Sequence, residues 1–269
     1  MAKSSKKPEN PDKPATASPA QGETKKGERI AKVLARLGVA SRRDVEKLIA
    51  AGNVAVDGKV LDHPAFIVEP HHRITVNGRP VAAKEPTRLW RFYKPQGVIT
   101  SARDPQGRPT FFDLLPKNLP RVVSVGRLDL NSEGLLLLTN DGSFARFLEL
   151  PQQRILRRYR VRVHVGARGV DEEKLKKLSR GITIDGFRYA GIEAEIDQRS
   201  GHNAWLNVTL TEGKNREIRK VMEYLGWPVS RLIRIGFGPF QLGKMEKGEV
   251  EEIPARVLAD QFESYFKES

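Results

Sequence analysis

Residues 122–139 read Val122-Val123-Ser124-Val125-Gly126-Arg127-Leu128-Asp129-Leu130-Asn131-Ser132-Glu133-Gly134-Leu135-Leu136-Leu137-Leu138-Thr139. Two apolar segments, Val122 to Val125 and Leu135 to Leu138, bracket a polar turn that holds an arginine, an aspartate and two glycines. Apolar runs this short, bounded by turn residues, mark buried strands. A carboxylate suspended between two such strands is expected to be poorly solvated, so Asp129 needs a cationic partner or a chemical role.

Strands and helices intermix around this turn. From Arg88 onward, Leu89 to Tyr93, Tyr159 to Val165, Ala204 to Leu210 and Val229 to Ile235 read as further strands. Helices are expected at 143–150, 171–180 and 215–225, with a last one near 255–267; Asp171 caps the second and Gly181 follows its end. Strands clustered among helices without strict alternation predict an α+β fold with a mixed, largely antiparallel sheet flanked by helices. This catalytic-type domain is expected over 88–255, with 256–269 as a C-terminal helix or tail.

A smaller module precedes it, over residues 28–84. Ile30, Val33, Leu34 and Leu37 fall on one helical face, and Gly38 ends that helix. Ser41 and Asp44 form a capping box for a second helix that buries Val45, Leu48 and Ile49 and stops at Gly52. Asp57-Gly58 and Asn77-Gly78, each flanked by valines, predict two hairpins. Arg29, Lys32 and Arg36 share the polar face of the first helix, and Arg42, Arg43 and Lys47 open the second. Paired helices with cationic outer faces suit phosphate contacts. Residues 80–87 read as a linker. Residues 1–27, with no large apolar side chain beyond Met1, read as a disordered basic tail.

The 269-residue chain carries a formal net charge of +14, which favours a polyanionic partner. It has no cysteine, which excludes disulfides, thiolate nucleophiles and Cys-ligated zinc. No apolar run approaches the roughly 20 residues of a membrane span, and no signal-peptide core opens the chain, so a cytoplasmic protein without membrane contact is expected. The five histidines are scattered or adjacent, in no metal-ligand spacing. No P-loop, no strand-coupled GxGxxG and no Gly-x-Ser-x-Gly occurs, so neither cofactor nor metal is expected.

Gly126-Arg127-Leu128-Asp129 and the residues after it closely resemble the signature of the RNA pseudouridine synthases, in particular the RsuA-like group. Arg29-Ile30 through Gly38-Val39-Ala40-Ser41-Arg42 to Val54-Ala55-Val56-Asp57-Gly58 resembles the S4-type RNA-binding domain found at the N-terminus of many members. That resemblance implies that Asp129 is the nucleophile, and that a helical arginine in Thr211-Glu212-Gly213-Lys214-Asn215-Arg216-Glu217-Ile218-Arg219-Lys220 forms its salt bridge. By position in the block that arginine is Arg219, with Arg216 and Lys220 left as phosphate or base contacts and Arg127 as a substrate contact. Tyr159 matches the tyrosine that stacks on the target base. Leu232 matches the aliphatic residue beneath that base, with Ile233 as the alternative. Lys94-Pro95-Gln96-Gly97-Val98 resembles a structural block near the catalytic loop.

Asp104-Pro105-Gln106-Gly107-Arg108-Pro109-Thr110 and Glu212 to Glu217 look most like members acting on large-subunit (23S) ribosomal RNA. The implied partner is that rRNA or a ribosomal precursor particle, bound by a monomer. Two other readings fit the same residues. One is a non-catalytic RNA-binding ribosome assembly factor. The other is a glycosidic-bond hydrolase pairing Asp129 with Glu133 or Glu212.

Overall fold

The computed structural model describes residues 27–83, 85–102 and 104–268. Apart from Gly27, the tail expected over 1–27 lies outside the described residues.

The N-terminal module opens with β1 (Glu28–Arg29), α1 (Ile30–Arg36) and α2 (Arg42–Ala50). β2 (Val54–Val56), β3 (Lys59–Val60), β4 (Ile67–Val68), β5 (Ile74–Val76) and β6 (Arg79–Pro80) follow. Ser41 Oγ accepts from the Asp44 N–H at 3.1 Å, the capping contact expected for α2. Ile30, Leu34, Val45, Ile49, Val54 and Val56 form the core of this module. Both hairpins form, with Asp57 and Asn77 in left-handed turn conformations that let the strands reverse in two residues.

The rest of the chain builds a nine-stranded sheet. In chain order come β7 (Leu89–Lys94), β8 (Val123–Val125), β9 (Glu133–Thr139), α3 (Gly142–Glu149) and β10 (Arg157–His164). Then come α4 (Glu172–Lys177), β11 (Ile182–Ile184), β12 (Phe187–Tyr189), β13 (Glu193–Ser200) and β14 (Asn203–Leu210). The chain ends with α5 (Glu217–Tyr224), β15 (Val229–Phe237), β16 (Phe240–Gln241), β17 (Val250–Ile253), α6 (Ala255–Gln261) and α7 (Glu263–Glu268). The sheet order is β13-β14-β10-β15-β9-β7-β17, with β8 added on β9 and β16 on β15. Every pairing is antiparallel except β15 with β9. The fold is α+β.

β9 is the pivot. Leu135 to Leu138 are fully buried, Leu135 and Leu137 against one core and Leu136 and Leu138 against another on the opposite face. Burial on both faces is why four consecutive leucines occupy one strand. One edge of β9 pairs with β7; the other is shared by β8, at Leu137 to Thr139, and β15, at Glu133 and Gly134. The sheet therefore splits beside β9, and residues 126–132, which carry Asp129, leave it at the split. Gly134 makes the junction possible, because a Cβ there would lie 2.3 Å from the Arg234 carbonyl oxygen.

Several elements differ from expectation. β13 was not foreseen because Glu193-Ala-Glu-Ile-Asp-Gln-Arg-Ser has no apolar run; it is an edge strand whose backbone pairs with β14 on one side only. The hairpin of β11 and β12, and β17, were likewise not foreseen. The single last helix expected near 255–267 is two, broken at Phe262. Both pack back on the sheet domain, Leu258 within its core and Phe262, Tyr265 and Phe266 around the ring of Phe144.

Candidate active site

A cleft of about 1040 Å³ opens where the sheet splits, and Asp129 and Tyr159 line it together with Arg127, Arg216 and Leu232. The loop under Asp129 is held mainly through its carbonyl groups. Lys94, with no exposed surface, donates from Nζ to the carbonyls of Pro95 (3.0 Å), Asp129 (3.1 Å) and Ser132 (2.9 Å). Thr100 Oγ1 donates to the Leu128 carbonyl at 2.8 Å and accepts from the Leu128 N–H at 3.2 Å. The Gly97 N–H donates to the Leu130 carbonyl at 2.9 Å. The block around Lys94 is thus the floor of the Asp129 loop.

Asp129 itself is not poorly solvated: its side chain keeps 34% of its surface exposed. The loop lifts it clear of the two strands and into the cleft, so burial of the strands does not extend to the carboxylate. Arg216 Nη1 lies 3.9 Å from Asp129 Oδ2. Arg219, to which the resemblance gave that ion pair, instead donates to backbone carbonyls, from Nη2 to Asn131 at 2.8 Å and from Nη1 to Val229 at 3.2 Å. The reason is local geometry. The helix begins at Glu217 and not at 215, and Arg216 stands before it in a left-handed conformation (φ +52°) that turns its side chain toward the loop. Arg219, a turn further on, reaches the loop backbone. Burial and the neighbouring Arg216 charge push the Arg219 guanidinium down, and Asp129 opposes them.

Lys220 is exposed on α5 and does not line the cleft. Arg127 is exposed at the cleft, and no ion pair holds it among the described residues. Between the alternatives beneath the base, Leu232 lines the cleft, whereas Ile233 points into the core on the other side. Successive strand residues face opposite sides, so one of the two had to. Glu133, a candidate second carboxylate for hydrolysis, is away from the cleft and bound to Arg231 and Lys247 at 2.5 and 3.1 Å. Glu212 does line the cleft, next to a second carboxyl, Glu217, that sequence reasoning passed over. Arg157 and Arg234 were also passed over; both line the cleft and lie over the ring of Phe237.

On the N-terminal module, Arg29, Arg42, Arg43 and Lys47 are exposed, Lys47 with Asp44 at 3.4 Å. Lys32 and Arg36, expected on the same phosphate-facing surface, are instead both paired with Glu28. Glu28 stands in β1, just before α1 begins, within reach of both. Among the described residues no group of three or more His, Asp or Glu could hold a metal ion, and no helix is long and apolar enough to cross a membrane.

A basic paired-helix module joined to a sheet that splits around an aspartate-bearing cleft suits an enzyme that works on a polyanion. The chain belongs to the RNA pseudouridylate synthase family, whose model matches residues 88–224, and an S4 domain matches residues 28–74. It is a pseudouridine synthase, an isomerase. An RNA pseudouridine synthase of Rickettsia felis is 45% identical over 231 residues, covering 86% of this chain and 99% of the relative. The ribosomal large subunit pseudouridine synthase B of Salmonella typhi is 44% identical, over 81% of this chain and 76% of the relative. A crystal structure of a pseudouridylate synthase shares the fold, with a TM-score of 0.60, 23% identity, and coverage of 87% of this chain and 98% of that one.

Proposed function

We propose that this enzyme isomerises a specific uridine of large-subunit (23S) ribosomal RNA to pseudouridine, with Asp129 as nucleophile. The observation that carries the chemistry is the place of Asp129, at the split of the sheet, in a cleft with a guanidinium 3.9 Å away and an aromatic and an aliphatic side chain lining the same space. The similarity to large subunit pseudouridine synthase B supports the choice of RNA. The S4 domain and the cleft grip a structured RNA, and the target uridine leaves its stack at a cost of a few kcal/mol. Tyr159 stacks on the base and Leu232 closes the pocket under it.

Asp129 attacks either the ribose anomeric carbon or the pyrimidine ring. The bond from C1′ to N1 breaks, the uracil turns over in the pocket, and C5 joins C1′ as the bond to Asp129 breaks and frees the carboxylate. C5 gives its proton to solvent and N1 takes one up. Arg216 balances the charge of Asp129, and Arg219 holds the loop backbone at Asn131. The enzyme acts as a monomer, in the cytoplasm where its rRNA is made.

Carbodiimide treatment and primer extension on 23S and 16S rRNA, from cells with and without this gene, test the reading. One 23S signal should vanish on deletion and return with the parental gene but not with Asp129→Asn. An unchanged map would refute it.

A further inference from the structure

Glu217, the first residue of α5, is only 4% exposed, and its carboxyl lies in the cleft wall without a role in the reaction above. Its Oε2 accepts from the Lys214 N–H at 3.0 Å, and its own N–H donates to the Lys214 carbonyl at 3.2 Å. Side chain and backbone thus close the turn 214–217 from both sides. Inside that turn stands Arg216, a non-glycine residue at φ +52° that needs its surroundings to hold it there. The other flank is fixed by Glu212, which accepts from the Ala190 N–H at 2.6 Å and pairs with Lys214 Nζ at 2.8 Å. The second oxygen of Glu217, Oε1, is buried and accepts no hydrogen bond, with the Glu212 carboxylate alongside. An acid O–H donating to that carboxylate satisfies both groups.

We propose that Glu217 is a positioning residue: its carboxyl, held as the neutral acid against Glu212, locks the 214–217 turn and so aims Arg216 at Asp129. The inference rests on Asp129 being the nucleophile. The charged groups facing Glu217 are Glu212 from the end of β14, Lys214 from the turn and Arg157 from β10. Arg157 donates to the carbonyls of Ile155 and Thr211 and forms no pair with the carboxyl. Burial, reinforced by the hydrogen bond to Glu212 and its charge, pushes Glu217 up to about 8. Above that pH two carboxylates face each other in a buried wall and the turn loosens. Catalysis then falls while the grip on RNA holds, because the turn orients Arg216 and the S4 surface is untouched.

The test uses the full chain and rRNA from cells lacking the gene, tritiated at uridine C5, so that each turnover releases tritium. Rates are measured from about pH 6 to 9.5 for the parent, Glu217→Gln and Glu217→Ala, each with Arg216 intact or replaced by Ala. Glu217→Ala should lower kcat about tenfold with KM nearly unchanged, and should cost nothing further in the Arg216→Ala background. Glu217→Gln, which keeps a neutral donor, should stay within about threefold of the parent near neutral pH and lose the alkaline fall. An alkaline limb unchanged in Glu217→Gln would assign that limb to Lys94 and overturn the proposal. Losses that multiply between positions 216 and 217, or a Glu217→Ala effect on melting temperature alone, would overturn it too. Turnover by Asp129→Asn at the parental rate would instead sink the nucleophile reading beneath it.

Discussion

The buried ammonium of Lys94 lies 3.1 Å from the carbonyl oxygen of Asp129, so a cation more than thirty residues upstream holds the backbone of the proposed nucleophile. Burial pushes Lys94 down to about 8, against the pull of Asp129 and Glu133. Replacing it by Met leaves three carbonyls without their donor. We expect a loss of about 3 kcal/mol in stability, read by denaturant unfolding, and a kcat that falls more than RNA affinity. A Lys94→Met enzyme with parental stability and kcat would show that the carbonyls find other partners.

Asp129→Asn should abolish turnover, by on the order of 10³-fold or more, while RNA affinity measured by filter binding stays within about threefold. The side chain is a third exposed and makes no contact that the fold depends on, so its melting temperature should hold. Matched losses of affinity and rate would mean that Asp129 binds and does not react.

Arg216 and Arg219 should separate by experiment. Arg216→Ala removes the guanidinium beside Asp129, and kcat should drop with little change in melting temperature, because the 3.9 Å pair is partly exposed. Arg219→Ala takes away two hydrogen bonds to backbone carbonyls, one in the loop at Asn131 and one at the start of β15, and should lower both kcat and stability, the latter by about 1–3 kcal/mol. The reverse pattern would return the ion pair to Arg219.

Glu133 makes stability depend on pH. Burial raises its pKa, but Arg231 and Lys247 outweigh burial and hold it below 4.5. A carboxylate with a depressed pKa stabilises the fold above its unfolded value and loses that stabilisation as pH falls through its folded value. Glu133→Gln should therefore be about 1–3 kcal/mol less stable than the parent near pH 7, and the gap should narrow as pH falls through the folded pKa of Glu133. A gap that persists at low pH would assign the loss to packing.

On the S4 domain, Arg42→Ala and Arg43→Ala should each weaken binding to rRNA and to unrelated RNA alike, and each should reduce the salt dependence of the affinity by about one ion. Lys32→Ala, whose ammonium is spent on Glu28, should do so less. Equal effects at all three positions would show that the Glu28 pairs open on RNA binding.

Much of this was legible in the chain. The apolar runs around Asp129, the capping box at Ser41 and the glycine stops are local signals, written within a few residues of one another. The strands at β13 and β17 were not, because edge strands draw their order from a neighbour's backbone and carry little apolar pattern. Glu217 escaped notice for a related reason: in sequence it is one charge in a charged block, and only burial gives it a neutral form.

The sequence by itself determined the α+β class, the two-module plan and the stretch that carries Asp129, since periodicity, turn residues and motif spacing act over short range. Only the tertiary structure decided which arginine faces Asp129, which of Leu232 and Ile233 reaches the cleft, and which cations on the S4 helices are free. Those outcomes depend on side-chain direction across a split sheet and on carboxylates brought near by the fold. Distances of a few ångströms between residues some ninety positions apart are fixed by packing, and no local pattern encodes them.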